Sequence, residues 1–422
     1  MKENAFQTLK ERGFIYQCTD ESAVEKLLAD PVTCYIGFDA TADSLHIGSL
    51  VPIMALVHMQ RCGHRPIALL GGGTTMVGDP SGKTEMRQML TLDQIRAYGE
   101  GIKAQFGRFL TFENDKALLL NNAEWLVPLK YIEFLRDIGV HFSVNRMLTS
   151  ESVKIRLETG LSFIEFNYML LQAYDFYVLA KDYNCLVQMG GQDQWGNIVA
   201  GTDLARRKLG KQVYGITFPL ITTASGEKFG KSAGNAIWLD AGKTSPFDFY
   251  QYFRNADDKD TGKYLGLFTL LSMEEVGRLP KENINRAKEI LAFEATRLAH
   301  GMESATSAYI ASCRQFGSAD PDGRIKTASS ILSVSVDAQA DVPVVDLPKS
   351  LIEKGIWIVK LAVESGLCSS NGEARRLIQQ GGLTVNDEKV SDENLSLTGK
   401  DLRENGLLLR AGKKRYKKVR FS

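Results

Sequence analysis

What most constrains the fold of this chain is a recurring unit: a β-rich apolar run that ends in glycine or aspartate and is followed by helical periodicity. VTCYIGF (32–38) reads as a buried strand leading into a polar loop and then a helix that opens near His46. PIALLGG (66–72) reads as the next strand with a glycine-rich loop behind it, and CLVQMGG (185–191) as a later one. Strands alternating with helices form a parallel, doubly wound α/β sheet, because parallel neighbours need a crossover connection. Such sheets bind ligands beyond the carboxyl ends of their strands. Tyr35, Gly37 and Asp39, the 71–79 loop and the 188–194 loop all fall at those ends.

At 422 residues the chain exceeds a single domain of roughly 100 to 200 residues, so several units are expected. The pattern turns helical from about 216 to 310, weakens between 312 and 350 into a Pro-, Asp-, Ser- and Ala-rich connector, and recovers in a last separate unit. A net charge of +1 excludes a uniformly polybasic nucleic-acid binder. The charge is unevenly spread, however: residues 351–422 carry 14 Lys and Arg against 9 Asp and Glu, residues 1–350 carry 37 against 41, and no acid follows Asn405. The charged N-terminus and the lack of a long apolar run lead us to expect a cytoplasmic protein with no membrane partner. Six scattered cysteines without a C-x-x-C pair give no disulfide framework and no structural metal site.

GDPSGKT (78–84) invites a P-loop reading and fails it on spacing, since only three residues separate Gly78 from Gly82. Lys83 and Arg87 then remain as basic residues on a loop beside a phosphate site. No G-x-G-x-x-G follows a strand, so a dinucleotide fingerprint is also missing. FDATADSLHIGSL (38–50) offers something else: a strand end running into a helix whose first turn carries His46 and Gly48. A helix N-terminus attracts phosphate, a glycine lets a flat base approach, and a histidine donates to a phosphoryl oxygen as its charge grows. Lys228 and Lys231, three apart in KFGKS, can both reach one polyphosphate. In this order, H-I-G and K-F-G-K-S resemble the two signature motifs of the class I aminoacyl-tRNA synthetases, with Ser49 where the family commonly has His or Asn.

The stretch 161–180 is apolar almost throughout yet carries Tyr168, Gln172 and Asp175, whose i, i+4, i+7 spacing puts them on one helix face. A carboxylate there needs a hydrogen-bonding partner, and a phenolic hydroxyl suits it. With CYIGFDATADSLHIGSL, LGGGTTMVGDPSG and LVQMGGQDQWGNI, the chain resembles the bacterial tyrosyl-tRNA synthetases over nearly its whole length. That resemblance implies that Tyr35 and Asp175 bind the phenol oxygen of L-tyrosine, that Tyr168, Gln172, Asp79 and Thr74 hold its amino group, and that Asn122 and Gln188 support the pocket. It implies that Gln194 faces the reacting carboxylate, and that Gly37, Asp39, His46, Gly48, Ser49, Gly191, Asp193 and Lys231 bind ATP. The tyrosine carboxylate would attack the α-phosphate in line, with His46, Lys228, Lys231, Lys83 and Arg87 stabilising the departing pyrophosphate and Mg²⁺ accompanying ATP.

The resemblance divides the chain into a Rossmann-like catalytic domain (1–215) with an inserted dimerisation segment (about 115–180), an α-helical anticodon-recognition domain that includes the KFGKS loop (216–320), a linker (321–350) and a small α+β RNA-binding domain (351–422). The last resembles a module first known from a small-subunit ribosomal protein, with Arg375, Arg376, Lys413, Lys414, Arg415, Lys417 and Lys418 as phosphate contacts for tRNA(Tyr). A homodimer is implied by the family. A tryptophanyl relative and a synthetase-derived RNA-binding protein share parts of the pattern. Tyr35 paired with Asp175 argues against the first, because an indole N–H offers no lone pair to Tyr35, and two intact signatures argue against the second.

Overall fold

The computed structural model describes residues 4–81, 90–221, 231–232, 235–334, 344–386, 388–402, 406–412 and 415–421. Two compact units emerge: Met1–Ala305 with Thr327–Ser329, and Thr306–Lys326 with Ser330–Ser422.

The first unit is built on a six-stranded sheet: β1 (Gln17–Cys18), β2 (Thr33–Phe38), β3 (Arg65–Leu70), β4 (Leu118–Asn121), β5 (Cys185–Gly191) and β6 (Tyr214–Phe218), in the order β1-β6-β5-β2-β3-β4. All neighbours are parallel except β1, which pairs antiparallel with β6 at one edge. The helix Leu50–Arg61 carries the chain from β2 to β3 with nine of its twelve residues buried, and Leu92–Phe106 and Trp195–Leu209 make the next crossovers. From β2 the order runs through β3 to β4 on one side, while β5 and β6 lie on the other, so the loops after β2 and β5 diverge at the topological switch point. The three expected strands are present, whereas β6 falls where the sequence pattern suggested the start of helix. A division at 215 would cut that strand, so the sheet extends past the expected boundary.

The long helix Phe163–Asp182 begins at a reciprocal cap, in which Ser162 accepts from the Glu165 amide and Glu165 returns a bond to the Ser162 amide. Buried Arg156 adds a two-oxygen ion pair to Glu165 at 2.9 and 3.0 Å, which fixes where the first turn sits. Four helices follow β6 within this unit: Pro246–Arg254, Asp258–Phe268, Met273–Glu282 and Ile284–His300. Phe249, Phe253 and Phe268 pack edge-on and tilted at 5.4 Å between ring centroids. Arg12 joins this helical layer to the N-terminus by donating to the terminal carbonyls Gly266, Thr269 and Leu271 at 3.1, 3.0 and 2.6 Å.

The second unit holds a five-stranded sheet, in the order Glu388–Lys389, Leu383–Val385, Leu407–Ala411, Arg415–Phe421 and Val344–Leu347, around a core that includes Ile358, Leu361, Ile378, Leu383, Leu409 and Val419. The helices Ile358–Glu364 and Asn371–Gln379 precede Leu383–Val385 as the sequence suggested. One expectation is corrected. Val344–Leu347 pairs in parallel with Arg415–Phe421, so the module starts inside the expected linker. Leu407–Ala411 and Arg415–Phe421 form a hairpin within the sheet, so the basic C-terminal segment belongs to the module as expected from its place in 351–422.

Candidate active site

At the inner end of the site, β2 supplies Tyr35 and the helix Phe163–Asp182 supplies Asp175, exposed by 1% and 2% respectively. The Tyr35 hydroxyl is buried with no hydrogen-bond partner among the described residues. Asp175 is held from the other side: Trp125 Nε1 donates to Oδ1 at 2.7 Å and Asn122 Nδ2 to Oδ2 at 2.9 Å. Burial pushes the Asp175 carboxyl up to about 7, against the pull of its two donors. Burial, followed by the charge of Asp175, raises the Tyr35 phenol well above its ordinary value. The pair therefore offers a neutral O–H donor and a carboxylate acceptor, which matches a ligand hydroxyl that accepts one hydrogen bond and donates another. Gln188 is opposite Tyr35 in the β2–β5 register, 2% exposed, with Oε1 unsatisfied among the described residues.

Nearer the strand ends lies a second carboxylate cluster. Asp39 accepts from Thr74 Oγ1 at 2.9 Å and from Tyr168 Oη at 3.1 Å. Asp79 accepts from the Ser81 amide at 2.9 Å and from Gln194 Nε2 at 2.7 Å. Burial first, and then the charge of Asp39, lift Asp79 to about 6. The neutral donors on Asp79 leave a buried carboxylate under-compensated, which suits a cationic ligand group such as an ammonium. Gly71 has to be glycine, since a Cβ there would stand 2.1 Å from Asp39 Oδ1. Gln172 accepts from Asn197 Nδ2, which also reaches Gln194 Oε1, at 2.9 and 3.1 Å.

Asn122 spans the two regions. Its Nδ2 donates to Asp175 and to Thr74 Oγ1, and its Oδ1 accepts from the Gly73 amide at 2.7 Å. Asp39, expected at the adenosine end, is hydrogen-bonded to Thr74 and Tyr168. Trp125 and Asn197 were missed by sequence reasoning. The only available signal was a tryptophan four residues past a strand end and an asparagine on a helix face, neither of which identifies a partner.

At the outer end His46 precedes a 3₁₀ turn, Ile47–Ser49, in place of the expected α-helical first turn. The Gly48 amide donates to His46 Nδ1 at 3.0 Å, which puts the proton of the neutral ring on Nε2. A Cβ on Gly48 would lie 2.6 Å from His46 Cε1, so the glycine makes room for the imidazole as well as for any ligand. Ser49 stands at the cap of Leu50–Arg61 without using its hydroxyl to cap it. Gly37 is exposed and open around a notional Cβ, whereas at Gly191 a Cβ would meet Asp193 Oδ1 at 2.4 Å. Lys83, Arg87 and Lys228 lie outside the described residues, and of Lys231 only the backbone is described, pairing with Ala236.

In the second unit Arg375 and Arg376 are exposed on Asn371–Gln379, with the Arg375 guanidinium 5.2 Å from the Trp357 ring centroid. Lys417 and Lys418 are successive residues of one strand and point to opposite faces; Lys417 shares the side of buried Val419, and Lys418 lies with Arg420. These candidates therefore do not form a single surface. Lys413 and Lys414 lie outside the described residues, and Arg415 is described by its backbone alone.

Comparison with known proteins gives one answer along the chain. Residues 27–317 match the family model of class I tRNA synthetases (W and Y), and residues 336–419 match the tyrosine–tRNA ligase SYY-like C-terminal domain. The tyrosine–tRNA ligase of Desulfosudis oleivorans is 55% identical over 97% of this chain and 96% of its own length, and that of Desulfatibacillum aliphaticivorans is 53% identical over the whole of both. Among solved structures, a C-terminally truncated mitochondrial tyrosyl-tRNA synthetase of Aspergillus nidulans superposes with a TM-score of 0.66 at 30% identity, covering 73% of this chain and 93% of that one. Sheet order, site chemistry and likeness thus converge: the chain belongs to the class I tRNA synthetases, in the family of tyrosine–tRNA ligases.

Proposed function

We propose that the chain activates L-tyrosine with ATP through the residues assembled above and passes the tyrosyl group to the 3′-terminal adenosine of tRNA(Tyr). The observation that carries this reading is the buried Tyr35–Asp175 pair, with Asp175 aimed by Trp125 and Asn122. In this reading the substrate phenol accepts from Tyr35 and donates to Asp175, while its ammonium enters the cluster of Asp79, Tyr168, Gln172 and Thr74, with Asp39 joined to it. Gln188 and Gln194 line the path to the carboxylate. ATP, as its magnesium complex, lies over Gly37, Gly48, Ser49, Gly191 and Asp193.

The reaction needs no protein nucleophile. The tyrosine carboxylate attacks the α-phosphorus, the bond to pyrophosphate breaks, and the Nε2–H of His46 stabilises charge on the phosphoryl oxygens. Lys228, Lys231, Lys83 and Arg87 supply the further positive charge. In the second step a ribose hydroxyl of the tRNA attacks the activated carbonyl and AMP leaves. The helical layer after β6 would recognise the anticodon, and the module from 344 onward would contribute RNA affinity through Arg375, Arg376 and the basic hairpin.

The enzyme works as a homodimer in this proposal, and in the cytoplasm, in keeping with six free cysteines. Ten of the sixteen exposed large hydrophobic side chains among the described residues fall between Val127 and Ile164, including Ile132, Val140 and Phe163 at 70% exposure or more. That concentration marks a partner face.

The test is amino-acid-dependent ATP–pyrophosphate exchange with tyrosine, phenylalanine and tryptophan. Tyrosine should exceed phenylalanine by a factor on the order of 10⁵, the established figure for this family of enzymes and taken over from them. Comparable rates with phenylalanine or tryptophan would refute the reading.

A further inference from the structure

The two signature segments are physically joined. Downstream of the strand pair Lys231–Ser232 and Asn235–Ala236, the backbone runs antiparallel to residues 45–47. The Ile47 amide donates to the Ile237 carbonyl and the Leu239 amide to the Leu45 carbonyl, both at 2.8 Å. These two bonds flank the His46–Trp238 pair, which therefore occupies the close, non-hydrogen-bonded position of an antiparallel ladder, where side chains on one face are pressed together. The two rings meet edge-on, 6.3 Å between centroids and 75° between planes. The His46 ring is thus bounded by the Gly48 amide on Nδ1 and by the indole.

Trp238 is itself braced. Its amide donates to Thr244 Oγ1 at 3.0 Å, and the Lys243 ammonium lies 5.4 Å from its ring centroid. Lys243 also pairs with Asp43 at 2.9 Å, returning to the loop that leads into His46. Alongside, the Asp240 amide donates to Ser44 Oγ, and buried Gln105 bonds both that hydroxyl and the Leu45 amide. An isolated pair this short is marginal on its own, so these contacts are what hold its two segments against each other. The same contacts surround the exposed His46, which precedes the 3₁₀ turn Ile47–Ser49.

We propose that Trp238 is a positioning residue for the activation step: it sets the pose of His46 and, held through Lys243 to Asp43, keeps the second signature's strand pair in register with the first. The inference rests on the role given above to His46. A donor that must meet charge as it develops loses much of its effect when displaced by an ångström, so the aim of the ring matters as much as its presence.

The experiment measures the rate of tyrosyl-adenylate formation and, by equilibrium dialysis, the tyrosine Kd in the full chain for H46A, W238L, W238F, the H46A/W238L double variant and K243M. H46A should lower the rate by roughly 10²-fold and W238L by about tenfold, with tyrosine Kd unchanged within about twofold. W238F, which keeps an aromatic edge against His46, should recover most of the loss. In the H46A background W238L should cost less than about twofold, because the residue it positions is gone. K243M removes a partly exposed cation without opening the core, and should cost a few-fold in the parent but nothing in W238L. Multiplicative losses in H46A/W238L, or a tyrosine Kd that weakens along with the rate, would overturn the inference. An unchanged rate in H46A would overturn the reading of His46 and the inference with it.

Discussion

As proposed, the tyrosine site and the RNA module solve recognition in opposite ways. In the first unit the recognising groups are buried, and each carboxylate is met by neutral donors: Asp175 by Trp125 and Asn122, Asp79 by Ser81 and Gln194. In the second the recognising groups are arginines and lysines on an exposed helix and along a sheet strand. A desolvated polar group makes a missing partner expensive, so it reads chemistry; an exposed cation is screened and adaptable, so it supplies affinity and reads little. One chain thus keeps selectivity for a small molecule apart from attraction to a large polyanion.

That contrast can be broken at its strongest point first. Asp175→Asn replaces the acceptor charge with a group that must itself find partners in a sealed site, and tyrosine-dependent exchange should fall by about 10³-fold in kcat/KM, on the order of 4 kcal/mol. A loss under tenfold would mean that the phenol is read elsewhere. Removal of residues 344–422 should come next, reducing tRNA aminoacylation by roughly 10²-fold while leaving pyrophosphate exchange within about twofold. If exchange fell equally, the division of labour would be wrong.

The smallest effect sharpens the picture most. Trp125→Phe removes one of the two donors that hold the Asp175 carboxyl down, and its rate should drop by about tenfold. The pH profile carries the sign. Burial holds the Asp175 carboxyl at about 7, and the proposed reading needs it ionised, so the acid limb of kcat/KM should report its loss as pH falls. Without the indole donor the carboxyl rises further, and the limb should move to higher pH. An unmoved limb would reduce Trp125 to a packing residue.

Much of this was legible in the sequence because it is local. A strand that ends in Gly37 and Asp39, or three polar residues spaced along one face of Phe163–Asp182, is specified by period and spacing alone. What was not legible depends on contacts between distant segments. Trp125 becomes part of the site because β4 lies at the sheet edge next to β3, which brings it against a helix fifty residues later. Val344–Leu347 looked like linker because four residues carry no period of their own; its partner strand stands more than seventy residues away. The strand Arg415–Phe421 was not legible as a strand either, because its alternation is masked by lysines at successive positions that face opposite sides of the sheet.

The parallel pairing of Val344–Leu347 with Arg415–Phe421 also bears on how the chain is made. The strand Arg415–Phe421 is an inner one, with a neighbour on each side. The module therefore cannot close its sheet until synthesis has passed Phe421, whereas every strand of the catalytic sheet is complete at Phe218. A nascent chain can thus complete the sheet of its first unit long before that of its second, and the parallel partner Val344–Leu347 has to wait unpaired until Arg415–Phe421 is made.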